Sequence, residues 1–176
     1  EHPRVLILGH SFIRRLRDFI IKNSPTYNLN LNINASVTIH WHGVGSRTID
    51  KVRRFDLTEV ERFKPDVVFL QIGTNNFTRR RSSPAPVGST IENLVCLLHH
   101  EYRVRLVCVG HVQILARYLQ GVLEPLPFAI YWTHRGFWRA SCSYLSYDGV
   151  HLNKQGQHKL YRSVREAVVH CLKRLT

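Results

Sequence analysis

A serine near the start of the chain and an aspartate–histidine pair near its end are the residues best suited to do chemistry together. Ser11 follows the apolar run Val5–Leu8, and Asp148 and His151 lie just before a long C-terminal helical pattern. A serine hydroxyl becomes a good nucleophile when an imidazole takes its proton and a carboxylate fixes the tautomer of that imidazole. A spacing of three residues in a turn lets the carboxylate reach Nδ1 of the histidine and leaves Nε2 for the serine. These residues therefore indicate acyl transfer, with Ser11 as nucleophile, His151 as base and Asp148 as the orienting carboxylate.

The hydrophobic pattern of the chain indicates how its two ends could meet. Short apolar or alternating runs, typical of strands, alternate with helical periodicities. The predicted strands are 4–8, 36–42, 67–72 and 104–109, and the predicted helices start at Ser11, run over 48–64 with an interruption, resume near Thr90, and run over 154–172. The segment 112–147 shows no clear period, and its many aromatic rings suit core packing better than an acyl pocket. The alternation predicts a mainly parallel sheet with helices on both faces.

Polar residues that could serve such chemistry follow the predicted strands directly. Ser11 follows the first strand, the glycine-containing turn 43–48 follows the second, and Asn75 follows the third. Ligand sites of parallel α/β sheets lie beyond the carboxyl ends of the strands. The topology therefore predicts that these loops converge at one edge, where Asp148 and His151 precede the last helix.

Four sequence blocks carry a family resemblance. The blocks follow one another over nearly the whole chain, in the order Gly9-His10-Ser11, the turn 43–48, Gly73-Thr74-Asn75-Asn76 and Asp148-Gly149-Val150-His151-Leu152-Asn153. The chain thereby resembles the SGNH, or GDSL-like, hydrolases. The resemblance implies a three-layer α/β/α sandwich with a doubly wound sheet and hydrolysis of a lipid, acetyl or other acyl ester without a metal or cofactor. It also implies that Ser11, His151 and Asp148 are catalytic and that Asn75 stabilises the oxyanion.

Two positions depart from the family pattern. The residue before the nucleophile is usually Asp, and here it is His10, so a hydrogen bond that shapes the loop is lost or replaced. The second block usually offers a glycine amide to the oxyanion, and the alignment leaves Gly45 and Ser46 as alternative donors. Any residue except proline has an N–H to donate, although glycine adopts unusual backbone angles more readily.

Each site residue also has an ordinary structural explanation when taken alone. Ser11 could cap a helix, Asn75 could serve a turn, and Asp148 before a glycine is a common turn signal. The order of the blocks and their placement in loops favour the catalytic interpretation. His40 and His42 would share one face of a strand, but the chain has no HExxH motif or Cys/His cluster, so we predict no metal site.

The charge balance suggests an anionic partner. The chain has 25 Lys and Arg against 12 Asp and Glu, for a formal net charge of +13. Arg47 and the run Arg79-Arg80-Arg81 would lie near the mouth of the site, where guanidinium groups pair well with phosphates and carboxylates. We therefore expect an ester substrate that is anionic, with a solvated loop as an equal alternative. The rival function is a weakly active or inactive hydrolase-like module that binds nucleic acid or an anionic membrane surface through its basic surface.

Length and composition limit the remaining possibilities. The length of 176 residues predicts one domain, 1–176. The chain has no run of about 18 apolar residues, so we predict no membrane span. The cysteines are widely spaced, which favours reduced, mostly buried thiols over disulfides or zinc and thus an intracellular protein. No leader segment is evident, and the sequence does not predict the oligomeric state.

Overall fold

A parallel five-stranded sheet forms the centre of the part of the chain that the structure describes. The structure is a computed structural model, and it describes residues 2–23, 37–77, 83–110, 112–137, 143–148 and 150–176. The strands are β1 (Arg4–Gly9), β2 (Thr38–Gly43), β3 (Val67–Gln71), β4 (Leu106–Gly110) and β5 (Ala129–Trp132). Their order across the sheet is β2-β1-β3-β4-β5, and every neighbouring pair is parallel.

Helices cover both faces of this sheet. They are α1 (Ser11–Asn23), α2 (Ile49–Phe55), α3 (Leu57–Phe63), α4 (Pro84–His100), α5 (Ala116–Leu123) and α6 (Lys154–Leu175), with short 3-10 turns at Thr74–Phe77 and Gln113–Leu115. α1 and α6 pack on the face that carries Ile7 and Phe69, and α2 to α5 pack on the face that carries Leu8 and Leu70. Strands buried on both faces read as continuous apolar runs, which explains the composition of β1, β3 and β4. The predicted three-layer α/β/α sandwich is confirmed.

Most predicted elements are present. The differences are the start of α4 and the presence of α5 and β5. The expected interruption of the segment 48–64 falls at Asp56, between α2 and α3. α4 begins at Pro84, earlier than expected, because proline is well suited to the first turn of a helix. α5 and β5 lie in the segment 112–147, for which the sequence predicted no element; β5 is a four-residue edge strand and lacks a long apolar run.

The carboxyl ends of the strands meet closely at one edge of the sheet. Gly9 of β1 is in register with Gly43 of β2 and with Gln71 of β3. A Cβ at Gly9 would collide with the Gln71 backbone oxygen, and one at Gly43 with the Arg14 backbone. These glycines therefore allow the loops after β1, β2 and β3 to approach one another, as glycine does where backbones pass closely. None of the helices in the described ranges is long and apolar enough to cross a membrane.

Candidate active site

Asp148 and His151 form a directly bonded pair. Oδ2 of Asp148 lies 2.6 Å from Nδ1 of His151, and Oδ1 accepts the backbone N–H groups of Val150 at 3.0 Å and His151 at 2.9 Å. The backbone N–H of His151, then its side chain, and then the backbone N–H of Val150 hold the pKa of the Asp148 carboxyl well below its ordinary value. An ionised carboxylate accepts a hydrogen bond from the Nδ1–H group and so keeps the ring proton on Nδ1, which leaves the lone pair of Nε2 free on the neutral imidazole.

The segment that carries this pair is fixed to the start of α6. Leu145 and Leu152 form an antiparallel bridge, and the Asn153 N–H donates to the Tyr144 carbonyl at 2.8 Å. The Asn153 side chain caps α6 by accepting the Gly156 N–H at 2.9 Å. Asn153, the last residue of the fourth block, thus anchors the loop to the helix and holds the imidazole in place.

Ser11 is half-buried and is the first residue of α1, directly after β1. Within the described ranges the Ser11 hydroxyl forms no hydrogen bond, including none to His151. The charge of His151 nevertheless contributes to the lowered pKa of His10, which indicates that the C-terminal segment lies near the serine loop. Catalytic hydrogen bonds are often long before the substrate binds.

His10 replaces the usual acidic residue with a neutral, buried ring. It is 2% exposed, and its Nδ1 accepts the Phe12 N–H at 3.4 Å, a bond that places the ring proton on Nε2. Burial, followed by the nearby charge of His151, lowers the pKa of His10 to about 4. His10 is therefore uncharged at neutral pH. By accepting the Phe12 N–H it helps to cap α1, a role that the Asp usual at this position could also fill.

Ser46 adopts the backbone conformation that the glycine of the second block would favour. Its φ of 59° lies in the left-handed region, where residues other than glycine are uncommon. Gly45 lies beside the Arg14 guanidinium, with 3.4 Å between Nη1 and the place of a Cβ. The backbone angles of Ser46 are thus compatible with the predicted donor role, and Gly45 and Ser46 both stay predicted donors.

Asn75 connects the third loop to the second. Its Nδ2 donates to the Arg47 carbonyl at 2.9 Å, and the neighbouring Asn76 accepts the Ile49 N–H at 3.2 Å. An amide nitrogen carries two N–H bonds, so one hydrogen bond to the loop does not by itself use up its donor capacity. The direct bond sets the spacing between Asn75 and the loop that carries Ser46.

Arg47 forms a buried ion pair with Asp56, a residue that the sequence analysis did not single out. Its Nε and Nη2 donate to the two oxygens of Asp56 at 2.8 and 2.9 Å, and Nε2 of His42 lies 3.0 Å from Oδ1. Asp56 is 1% exposed. Burial tends to raise the pKa of Asp56, but the hydrogen bonds of His42 and Arg47 and the charge of Arg47 lower it overall.

The ion pair with Asp56 bears on the prediction that Arg47 binds substrate, because it engages the Arg47 guanidinium. The guanidinium of Arg47 is engaged by Asp56 and lies over the Phe55 ring at 5.4 Å, while its carbonyl accepts from Asn75. The arrangement favours a role in holding the loop 43–48, and direct substrate binding by Arg47 stays a prediction. Arg79, Arg80 and Arg81 lie outside the described residues. The sequence feature that could have pointed to Asp56 is its position as an acidic residue at the interruption of the helical pattern 48–64.

Replacing Asp56 by Asn should lower the free energy of unfolding at neutral pH by about 3 kcal/mol, because Arg47 would lose its charge partner in a buried setting. Since the folded pKa of Asp56 is depressed, its stabilisation is present above the ordinary pKa and is lost as the pH falls through the folded value. Chemical denaturation across this pH range measures the effect. Asp50→Asn removes the same charge at an exposed position of α2 and serves as the control. Equal stabilities of the two variants at neutral pH would contradict the assigned role.

His40, His42 and Glu59 form a group that could hold a metal ion. One ligand atom from each lies within 4.8 Å of the others. These side chains already have partners: His40 Nε2 lies 3.1 Å from Glu59, Arg62 donates to the same carboxylate at 2.6 Å, and His42 contacts Asp56. The contacts join β2 to the α2–α3 segment, which is a sufficient structural role.

A partly buried chain of polar side chains supports the same edge of the sheet from the α6 side. Trp132 Nε1 donates to Ser163 Oγ at 3.1 Å, Ser163 Oγ lies 2.7 Å from Nδ1 of His134, and Nε2 of His134 lies 2.7 Å from Gln71 Oε1. A hydroxyl that donates to Nδ1 leaves the ring proton on Nε2 for Gln71 Oε1, so both nitrogens of the His134 ring have partners. The Gln71 carbonyl accepts the His10 N–H at 3.3 Å, which links this chain to the serine loop.

Solved structures of ester hydrolases share this fold. An acetyl esterase, solved as a serine-to-alanine variant with an acetate ion, superposes with a TM-score of 0.73 and 15% identity over 99% of this chain and 100% of the other. The fold is that of the SGNH hydrolases. An acetylxylan esterase from Geobacillus stearothermophilus matches this SGNH fold with a TM-score of 0.67 and 13% identity over 94% of each chain. An alpha/beta hydrolase enzyme from the metagenome of Lake Arreo, Spain, matches with a TM-score of 0.66 and 15% identity over 94% of each chain.

Matches were found for the structure of the chain and not for its sequence. No protein-family model and no curated protein matches the chain. At identities of 13 to 15%, the structural matches establish the SGNH fold and leave the chemistry to be argued from the site.

Proposed function

We propose that this chain is a serine hydrolase that cleaves carboxylic esters, with Ser11, His151 and Asp148 as its catalytic residues. The observation that carries the proposal is the 2.6 Å pairing of Asp148 with His151 next to the loop of Ser11. Two further findings support it. The fold is shared with esterases, and a serine-to-alanine form of the acetylxylan esterase is described as a catalytic mutant.

The proposed reaction proceeds through an acyl-enzyme. His151 Nε2 takes the proton of Ser11 Oγ as this oxygen bonds to the ester carbonyl carbon, and Asp148 stabilises the resulting imidazolium. The imidazolium then gives its proton to the leaving alcohol as the ester C–O bond breaks. Water, activated by the same imidazole, attacks the acyl-enzyme and releases the carboxylic acid and the free serine.

Three groups are proposed to stabilise the oxyanion. They are the Ser11 N–H, the amide of Gly45 or Ser46, and the Asn75 side chain. The Ser11 N–H lies in the first turn of α1, where the helix dipole also favours negative charge. Donors that are fixed before the reaction need no reorganisation as the charge develops, and the bond from Asn75 to the Arg47 carbonyl supplies this rigidity.

The neutrality of His10 suits the proposed role of His151. A second positive charge next to His151 would oppose formation of the imidazolium during the reaction. With a pKa of about 4, His10 carries no charge at the pH values where serine hydrolases of this kind need a neutral base. The replacement of the usual acidic residue by His10 is therefore compatible with catalysis.

A fluorophosphonate probe tests the proposal without knowledge of the substrate, because it reacts with a serine that a neighbouring base has activated. We expect one covalent adduct per chain, located on Ser11 by peptide mass spectrometry. The adduct should be lost in His151→Ala and kept in His170→Ala, which changes an exposed histidine of α6. No adduct, an adduct on another residue, or equal labelling of both variants would contradict the proposed function.

A further inference from the structure

A cavity opens beside the proposed site, between the end of β5 and one face of α6. Its volume is about 1080 Å³, and none of the residues proposed for catalysis lines it. One wall is formed by Tyr131, Trp132 and Arg135, and the other by the α6 side chains. We call this cavity the β5–α6 cleft.

The cleft holds positive charges without acidic partners. Arg135, Lys159 and Arg162 line it, and none of the three forms an ion pair with any residue in the described ranges. Lys159 Nζ donates only to neutral groups, the Gly136 carbonyl at 3.3 Å and the Tyr144 hydroxyl at 3.2 Å. Glu166 is the one carboxylate among the described residues of the lining. Cations gathered in a concave site and left unpaired attract an anionic ligand.

The positive end of the cleft lies next to the proposed catalytic loop. Lys159 and Arg162 follow the start of α6 by about one and two turns, whereas Glu166 lies about three turns along. The Lys159 ammonium lies 4.5 Å from the centre of the Tyr144 ring, and the Tyr144 carbonyl accepts from Asn153. The cleft therefore runs away from the segment that carries Asp148 and His151, with its cations at the nearer end.

The uncharged groups of the cleft favour an anion as well. The Trp132 ring is held by the hydrogen bond from its Nε1 to Ser163, so it forms a fixed apolar wall. Burial raises the pKa of Tyr131 to about 12, so its hydroxyl stays protonated and adds no negative charge to the cleft. Aromatic walls with cations between them suit a ligand that has flat or apolar faces and anionic groups.

We propose that the β5–α6 cleft binds the non-reacting part of the ester substrate through anionic groups, phosphate or carboxylate, held by Arg135, Lys159 and Arg162. The inference rests on the proposed function and adds the substrate class to it. It also places the anion-binding side chains away from Arg47, whose guanidinium is engaged by Asp56.

Binding to the catalytically disabled Ser11→Ala chain tests the cleft separately from the reaction. The probes are trigalacturonate for carboxylate, inorganic tripolyphosphate for phosphate, and xylotriose as an uncharged comparison, each titrated by calorimetry at a fixed ionic strength. We expect one or both anionic probes to bind and xylotriose not to bind. Adding Arg135→Gln and Arg162→Gln should weaken that binding about tenfold, because both arginines are exposed and solvent screens each of the two charge pairs that would be lost. Both arginines are exposed and have no partner in the described ranges, so the fold should tolerate the changes.

The matched control removes the same charge elsewhere. Arg53→Gln with Lys173→Gln changes two exposed cations that do not line the cleft. Binding of trigalacturonate alone identifies carboxylate as the recognised group, and binding of tripolyphosphate alone identifies phosphate. Equal weakening by the two double variants, or no binding of either anion, overturns the proposal. If the cleft binds an anion while the fluorophosphonate labels nothing in the unmutated chain, the proposed function fails and the anion site stands.

Discussion

Ester hydrolysis by the Ser11→Ala variant is expected to be almost abolished, with only the slow turnover left that oxyanion stabilisation and substrate binding support. Removal of the nucleophile from a serine hydrolase typically costs about 10⁶-fold in kcat, because no acyl-enzyme can form. The measurement is the release of nitrophenol from a short-chain nitrophenyl ester at saturating substrate. Ser83→Ala provides a matched serine control, since Ser83 is exposed and its side chain makes no capping hydrogen bond.

The Ser11 variant should stay folded, which makes the activity loss interpretable. The Ser11 hydroxyl makes no hydrogen bond within the described ranges, so the exchange removes one half-buried hydroxyl at the start of α1 and leaves the backbone unchanged. We expect a thermal midpoint close to that of the unmutated chain by circular dichroism. Turnover by Ser11→Ala equal to that of Ser83→Ala, with both variants folded, would refute the assignment of the nucleophile.

Asp148→Asn should reduce kcat by about 10⁴-fold with little change in KM, as the loss of the orienting carboxylate does in serine proteases. The physical reason lies in the geometry of the pair. The amide oxygen of the introduced side chain can still accept the two backbone N–H groups, but its NH₂ group would then face Nδ1 of His151. This contact places the ring proton on Nε2, where it blocks the proton transfer from Ser11.

The comparison for this variant is Asp18→Asn, which removes an exposed carboxylate that pairs with the neighbouring Arg17. Steady-state kinetics with the same ester separates kcat from KM, and the fluorophosphonate labelling rate should fall in parallel. If Asp148→Asn retained a rate within about tenfold of Asp18→Asn, the carboxylate would have no part in setting the tautomer.

The first four strands and the layered architecture could be predicted from the sequence because they depend on local patterns. β1 and β3 are uninterrupted apolar runs buried on both faces, and the stripe of α6 repeats at the helical period. β5 could not be predicted, because a four-residue edge strand between turns has too few residues to show a period. Its place in the sheet comes from pairing with β4.

The contacts of the charged loop residues were less predictable than the strands. Arg47 was expected at the mouth of the site, but its charge is met by Asp56, which lies at a helix break and had no recognisable motif. The cations of the cleft come from two distant segments, Arg135 after β5 and Lys159 and Arg162 on α6. No single stretch of sequence shows such a group, because it exists only once the sheet has formed.

The sequence by itself indicated the strand–helix alternation and the contact between Asp148 and His151, because residues three apart in a turn can lie within hydrogen-bond distance of each other. Only the tertiary structure decided which partners meet over longer separations: Arg47 with Asp56 over 9 residues, His42 with Asp56 over 14, and Gln71 with His134 over 63. A hydrogen bond depends on position to within a few tenths of an ångström, and parallel strands bring distant segments to that distance only when the whole sheet is assembled. The pattern of the chain therefore indicated the chemistry, and the packing of the sheet decided which side chains support it.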